Sequence, residues 1–378
     1  MNILMILSKI PSTFKTDIRV YSEAQALIEA GHTVTAIAWD RKHEDTSGDN
    51  VDGIRVVRIY TKGLMKLLPN DLFRNPLWWK KAYNKGVQLY QNEFHFDVVH
   101  CHDLDTLQTG VWLKKKYGCK LIYDAHEIFT YMIEGNVPNF VVRRASKMEK
   151  RLIHNVDHII TVDDSYATYF NGITRKPLTI VRNCKQLVGE YTPPTRKKFT
   201  LVYIGTLNKS RFFPQLLHVV GKINDIQLVI AAKKESIYDE IEQLSKRYAN
   251  IDFLGTIPGN QVLPLTREGH VVICLFDPSS KMNRIGSPNK LFEAMVTGRP
   301  IIVTKGTNAG DIVEQEHCGL AIEYSEEKLA EAIKQLRDNP KLCEELGRNG
   351  IRAAKEKYNW DVQKKALLHV YATIQHPS

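Results

Sequence analysis

The chain has 378 residues, too many for one ordinary core and enough for two domains of roughly 150–200 residues each. Hydrophobic residues make up 43 %, so both halves can bury a core, and 52 basic against 42 acidic residues leave a formal charge of +10. No apolar run reaches the roughly 20 residues of a membrane-spanning helix, and the six cysteines are scattered without a C-x-x-C pair, which argues against a disulfide frame or a thiolate zinc site.

The first eight residues, MNILMILS, carry no basic leader or cleavage site and read as a buried strand. Short apolar runs then alternate with helical-period segments. Strands are expected at 2–7, 33–39, 54–59, 97–101, 120–123 and 158–162, with amphipathic helices at 18–30, 104–116 and 141–153. Asp17 suits the N-cap of the first helix, and Gly31 follows its last turn. Near Asn183 the rhythm breaks. Residues 184–198 hold Gly189, Pro193, Pro194 and the basic cluster Arg196, Lys197 and Lys198, and read as a linker. A second series of strands follows at 200–204, 227–231, 252–254, 271–275, 300–303 and 320–322. Helices at 325–338 and 340–357 and a terminal segment at 360–374 complete it. Such alternation predicts two doubly wound α/β domains, 1–183 and 199–357, with a C-terminal helix, 358–378, packing back on the first. Ligands bind beyond the carboxyl ends of such strands. Two sheets facing across a cleft would therefore hold one substrate each.

Residues 287–295, SPNKLFEAM, carry the most chemistry. Ser287 is placed to cap a helix, Pro288 fits its first position, and Asn289, Lys290 and Leu291 fill the first turn. A helix N-terminus offers unpaired N–H groups to a diphosphate, and Lys290 adds charge. Glu293, one turn on, suits a pair of ribose hydroxyls. The residues alone fit an ordinary capped helix equally well. His100 and His102 alternate at a strand end, but without a third ligand nearby they argue against a metal. Residues 62–81, KGLMKLLPNDLFRNPLWWKK, interleave Leu64, Met65, Leu67, Leu68, Trp78 and Trp79 with basic residues. That pattern fits a segment lying on an anionic membrane, or a partly buried helical hairpin. Arg143, Arg144, Lys147, Lys150 and Arg151 form a second basic strip. The basic residues are spread out and form no nucleic-acid module, so no nucleic-acid partner is expected.

Residues 287–300, SPNKLFEAMVTGRP, closely resemble the P-x-K-x-x-E-A-M-A-x-G-x-P-V segment of retaining glycosyltransferases of family 4, which have the GT-B fold. The likeness extends along the chain through DIRVYSEAQALIEAGHTVTAIAW (17–39), FDVVHCHDLDTL (96–107), KLIYDAHEIF (120–129), YIGTLNKSRFFPQLL (203–217), and GLAIEY with YNWDVQKKALLHVY (319–371). The resemblance implies two Rossmann-like domains facing across a cleft. It also implies a retaining transfer of a hexosyl unit from a nucleotide-diphosphate sugar to a glycan or lipid-linked sugar. Neither cofactor nor metal is expected. The implied setting is cell-surface polysaccharide or glycolipid synthesis, in the cytoplasm or on the inner face of the plasma membrane.

By the same resemblance His126 contacts the transferred sugar, with Glu127 beside it. Arg211 takes the second of two basic diphosphate positions; the first is Thr206, and Lys209 stands close enough to substitute. Gly205 lets the backbone approach the donor. Ser287, Asn289, Lys290 and Leu291 belong to the donor site, with Lys290 and the helix N-terminus at the diphosphate, Glu293 at the ribose, the turn 255–258 with Ile257 at the nucleobase, and the loop 306–310 at the donor sugar. His126, Arg211 and Glu293 are the expected catalytic residues. Thr206 is one departure from the family pattern, and two more matter. The family's E-x7-E pair would begin at position 285, which is Ile285, and the first loop, 8–16, lacks a Gly-Gly turn, leaving Lys9, Lys15 and Arg19 to serve it. Ile285 and Thr206 motivate a second reading, a non-catalytic sugar-nucleotide-binding subunit of an envelope-glycan assembly. A sugar-nucleotide 2-epimerase would need cleft carboxylates that the sequence does not offer.

Overall fold

The computed structural model describes residues 1–10, 13–41, 49–68 and 71–375, so part of the first loop and of the 62–81 segment lies outside the described residues. The chain divides into two compact units, Met1–Arg182 together with the chain from Lys364 on, and Asn183–Gln363.

In the first unit, among the described residues, eight strands form one sheet. They are β1 (Asn2–Leu7), β2 (Thr33–Asp40), β3 (Asn50–Val51), β4 (Ile54–Tyr60), β5 (Val98–His102), β6 (Lys120–Ala125), β7 (His158–Thr161) and β8 (Leu178–Ile180), in the order β3-β4-β2-β1-β5-β6-β7-β8. All pairs are parallel except β3 with β4. The central strand β1 is buried on both faces, which is why Ile3, Leu4, Met5 and Ile6 run without a polar interruption. β3 and β8 escaped the sequence reading because two and three residues are too short to show a period. Helix Ile18–Glu29 starts at Asp17, whose carboxylate accepts from Val20 N at 3.4 Å, and Gly31 follows it at φ +83°.

The tryptophans of the 62–81 segment face inward, against the membrane-facing reading. Trp78, in helix Asp71–Asn92, is fully buried and stacks on Trp39 with ring centroids 5.3 Å apart. Trp79 donates through its indole N–H to the Asp105 carbonyl at 2.6 Å. Trp78, Ala82 and Leu89 share one buried face of that helix, so helical period decides their direction. Leu64, Leu67 and Phe73 do remain exposed.

The second unit holds β9 (Phe199–Ile204), β10 (Ile226–Ala231), β11 (Ile251–Gly255), β12 (Val271–Cys274), β13 (Ile301–Thr304) and β14 (Gly319–Ile322). They form an all-parallel sheet in the order β11-β10-β9-β12-β13-β14. This is the doubly wound order whose winding reverses between β9 and β12, and ligands bind at that reversal.

Residues 184–198 are not a free linker. Cys184 is buried with Leu291, Phe292 and Met295, and Leu187 packs on the same cluster. The buried Arg299 donates to the Thr192 carbonyl at 2.8 Å and to the Arg267 carbonyl at 2.7 Å. Proline and glycine signal irregular backbone, and here that irregular backbone is packed. The last helix, Trp360–Gln375, starts in the second unit, where Trp360 N donates to the Lys185 carbonyl, and from Lys364 on belongs to the first. All six cysteines are buried and none forms a disulfide. Among the described residues no helix is long and apolar enough to cross a membrane.

Candidate functional site

The winding reversal of the second unit gathers two cations. β9 ends at Ile204 and the chain turns at Gly205 with φ +151°. A Cβ there would stand 2.5 Å from Lys290 Nζ, so glycine leaves room for the amine. Lys290 Nζ lies 4.6 Å from the Tyr203 ring centroid. Arg211, in the short 3-10 turn Lys209–Arg211, lays its guanidinium over Phe276 with Cζ 3.5 Å from the ring centroid. The turn is pinned by Asp277 N donating to the Ser210 carbonyl at 2.9 Å. Arg211 Nη1 is buried with no hydrogen-bond partner among the described residues. Burial holds the Lys290 ammonium below the usual lysine range, and the Arg211 charge pushes the same way, against Cys274 and Glu293. Two like charges are thus held together without a carboxylate on either, an arrangement that would favour an anion.

Helix Asn289–Thr297 begins beside them, and Ser287 does not cap it. Pro288 holds the N-cap position with no side-chain cap, while Ser287 Oγ accepts from Asn308 Nδ2 at 2.7 Å. The serine is thereby tied to the next helix, whose first residue is Asn308. Asn289 is exposed, and the Leu291 side chain is buried in the core, which leaves only its backbone to face a ligand. Glu293 is nearly buried, and its Oε1 lies 3.6 Å from Lys185 Nζ. Sequence reasoning missed Lys185 because it sits in the stretch read as a linker.

Lys209 and Thr206 are exposed in the turn after β9, and Ile285 is half-buried at the end of helix Lys281–Ile285. Ile257 packs against Val229, Ala231 and Leu265 in the turn after β11. In the 306–310 loop Gly306 has φ +71°, and Thr307 Oγ1 caps helix Asn308–Glu316 by accepting from Gly310 N at 3.1 Å.

The first unit builds a charged centre around Asp124. Register places His102 of β5 beside Asp124 of β6, with His100 two residues back on the same face and His126 just past the end of β6. His126 Nε2 lies 2.9 Å from Asp124 Oδ2, while His102 Nδ1 and His100 Nε2 approach the same oxygen at 3.4 and 3.5 Å. Arg19 takes Asp124 Oδ1 at 2.9 Å, Glu23 Oε1 at 3.0 Å and the Val181 carbonyl at 2.6 Å. Arg19 is therefore committed inside the fold and is not free to serve the first loop. Lys15 pairs with Asp52 on the surface. The His126 amide donates to Asp103 Oδ1 at 2.9 Å, and its ring Nδ1 lies 3.9 Å from Asp103 Oδ2. Glu127 accepts from the Tyr166 hydroxyl at 3.3 Å.

Burial opposes a charge on His126, but Asp124 and then Asp103 outweigh it and raise the imidazole to about 9. Burial also opposes the Asp124 charge, yet Arg19 and His126 hold that carboxyl well below its usual range. Glu23, which burial drives up to about 8 against the pull of Arg19, keeps its proton at neutral pH. Burial, then His100, lowers His102 to about 3. His126 is thus a cation with Nε2 turned inward and Nδ1 turned toward Asp103.

The sequence offered no third ligand for His100 and His102; the structure brings Glu23 and Asp124 to them, with the four ligand atoms within 4.8 Å of one another. Arg19 already bridges both carboxylates. The two imidazoles are stacked, 4.4 Å apart and 18° between planes, with both facing the same Asp124 oxygen. The group is a closed ion cluster.

Two family models match the chain in order, "Glycosyltransferase Family 4" over residues 17–184 and "Glycosyl transferases group 1" over residues 198–339. An uncharacterized glycosyltransferase of Methanocaldococcus jannaschii is 22 % identical over 377 residues, covering 92 % of this chain and 91 % of its own. The capsular polysaccharide biosynthesis glycosyltransferase CapM of Staphylococcus aureus is 25 % identical over 54 % of this chain and 53 % of its own. Among solved structures, sucrose-phosphate synthase from Thermosynechococcus elongatus superposes with a TM-score of 0.80 at 16 % identity, over all of both chains. HepE of Anabaena in complex with UDP-glucose superposes with a TM-score of 0.71 at 15 % identity, over 99 % of this chain and 100 % of its own. With its parallel-sheet units and two consecutive family matches, the chain belongs to glycosyltransferase family 4, with the Rossmann-like domains of the GT-B fold.

Proposed function

We propose that this glycosyltransferase moves a hexosyl unit, with retention, from a nucleotide-diphosphate sugar to a glycan or lipid-linked sugar in cell-surface polysaccharide or glycolipid synthesis. The observation that carries the donor class is the meeting of Arg211 and Lys290, both without a carboxylate partner, at Gly205 beside a helix N-terminus with no side-chain cap. HepE bound to UDP-glucose and the capsular role in CapM's name support the reading. Arg211, Lys290 and the first-turn N–H groups hold the diphosphate, with Lys209 adding charge. Glu293, steadied by Lys185, accepts from the ribose hydroxyls, and the turn at Ile257 meets the base. His126 donates from Nδ1 to the transferred sugar. The bond from the sugar's anomeric carbon to phosphate breaks and a bond to the acceptor oxygen forms on the same face. The acceptor proton passes to the departing phosphate, whose growing charge Arg211 and Lys290 stabilise. No metal or cofactor is given a step.

A thermal-shift panel of UDP-, GDP- and ADP-sugars tests the donor. A donor at 100 times its Kd stabilises by about 2.7 kcal/mol, so one of the three should raise Tm clearly. Glu293→Ala is expected to weaken that donor about 10-fold or more, the worth of a hydrogen bond to a charged group. If no nucleotide sugar shifts Tm, the donor assignment is lost. Binding without transfer or hydrolysis would select the non-catalytic reading, which Ile285 and Thr206 favour.

The acceptor side suits an anionic bilayer on the cytoplasmic face. Helix Asn139–Ile153 exposes Arg143, Arg144, Lys147, Lys150 and Arg151, with Phe140 70 % exposed near its start. Leu67 is 81 % exposed on the short helix Leu64–Leu67. Charge with projecting apolar groups is the pattern of interfacial binding. Co-sedimentation with anionic liposomes at low salt is expected, weakening as salt rises and on joint Arg143→Glu, Arg144→Glu and Lys147→Glu substitution. Equal binding to neutral vesicles, or none to either, would remove the membrane from this picture.

A further inference from the structure

The Asp124 cluster reaches a residue that no catalytic role has yet claimed. Tyr371, on the last helix and fully buried, places its hydroxyl 2.7 Å from His100 Nδ1. His100 lies 271 positions earlier, so only the fold brings the two together. The opposite ring atom, His100 Nε2, faces Asp124 Oδ2 at 3.5 Å and Glu23 Oε2 at 4.0 Å, and makes no closer contact to a polar atom among the described residues.

A neutral imidazole has one donor and one acceptor, and its neighbours choose which is which. Burial keeps the Tyr371 phenol protonated and His100 neutral. If His100 carried its proton on Nδ1, the buried tyrosine proton would lack an acceptor, and the Nε2 lone pair would face the Asp124 carboxylate. Both are costly at fully buried groups. With the tyrosine donating to Nδ1, the proton sits on Nε2 and its dipole points at Asp124. Asp124 in turn holds His126 at 2.9 Å.

We propose that Tyr371 is a positioning residue: by fixing the tautomer of His100 it keeps Asp124 anionic, and through Asp124 it holds His126 as an imidazolium. The consequence for catalysis rests on the reading of His126 as the sugar contact. The charged and titratable groups around His126 are Asp124 on β6, His102 and Asp103 from β5 and the turn after it, and Arg19 and Glu23 on the first helix. Of these groups His100 Nε2 lies nearest Asp124, at 3.5 Å against 4.0 Å for Glu23, while its ring stacks on His102.

Tyr371→Phe keeps the ring against His100 and His32 and removes only the hydroxyl. His100 is then free to carry its proton on Nδ1. Asp124 gains proton affinity and its pull on His126 weakens. The test is histidine NMR titration of the full chain, with the His126 signal assigned by its loss in His126→Gln, alongside the pH profile of kcat. Tyr371→Phe is expected to lower the His126 midpoint by about one pH unit, a factor of ten in proton affinity, and to move the alkaline limb of kcat with it. His100→Gln supplies a rescue. A glutamine amide donates from about the place of Nε2 and has no tautomer to choose. The double variant Tyr371→Phe with His100→Gln should therefore return the midpoint toward wild type. A midpoint unchanged in Tyr371→Phe, with only Tm lowered, would make the tyrosine a packing residue and overturn the proposal. A midpoint that moves while the kcat profile stays upholds Tyr371 and removes His126 from the reaction. If Tyr371→Phe does not fold, the double variant decides: refolding with a wild-type midpoint supports the relay, and a displaced midpoint ends it.

Discussion

Arg211→Ala is expected to lower the rate of transfer by about 10²–10³-fold, the cost of removing one preorganised donor from developing negative charge. The ligand-free protein should hardly notice. Nη1 of Arg211 makes no hydrogen bond among the described residues, and its charge opposes that of Lys290. Removing it breaks the contact with the Phe276 ring but relieves a repulsion. The apo Tm should accordingly stay close to wild type, while the Tm increase produced by the donor shrinks. Lysine at this position restores charge without the planar fork and should recover only part of the rate. The measurement is kcat and kcat/KM beside donor-dependent Tm. A loss of rate below about threefold would place the diphosphate elsewhere, as would a large fall in apo Tm with normal donor binding.

Asp124→Ala should act in the opposite way, on stability first. Asp124 is fully buried and faces Arg19, His126, His100 and His102. Removing one side of a buried ion cluster strands the other, at about 3–5 kcal/mol. In a unit of this size that is roughly 10 °C in Tm. Four of the five tryptophans, Trp39, Trp78, Trp79 and Trp112, lie in the first unit, so tryptophan fluorescence reports its unfolding.

The same variant should change the pH dependence. His126 is raised from 6.5 to about 9, so its stabilisation is complete below pH 6.5 and is lost as pH rises through 9. Glu23 is raised from 4.5 to about 8, and its preference for the folded state likewise fades as pH climbs through 8. Asp124, held low, stabilises above its ordinary 3.8 and loses that only in strong acid. Wild-type protein should therefore lose stability between about pH 6.5 and 9, by on the order of 3 kcal/mol for the histidine. The slope should flatten in Asp124→Ala. An unchanged slope would mean that His126 is not held by Asp124.

The order of strands and helices was legible because burial of parallel strands on both faces writes unbroken apolar runs, and helices write a period. The proposed donor segment was legible for a local reason too, since Pro288, Lys290 and Glu293 lie within one and a half turns. Ser287 shows the limit. Its type suits a cap, but the Asn308 amide, 21 residues away, claims the hydroxyl. Residues 184–198 looked like a linker because their composition describes backbone shape and not the buried Arg299 that donates to one of their carbonyls.

By itself the sequence determined the repeating elements, the winding of two parallel sheets and the helix proposed to receive the donor. Only the tertiary structure decided which charges are spent on one another and which remain for a ligand. Arg19 and Arg211 are the same residue type, each beside a strand end. Arg19 meets Glu23 and Asp124 and is closed into the fold, while Arg211 meets an aromatic ring and a second cation. That difference follows from which residues distant in the chain share a buried space. In such a space an unpaired charge is costly until something of opposite sign arrives.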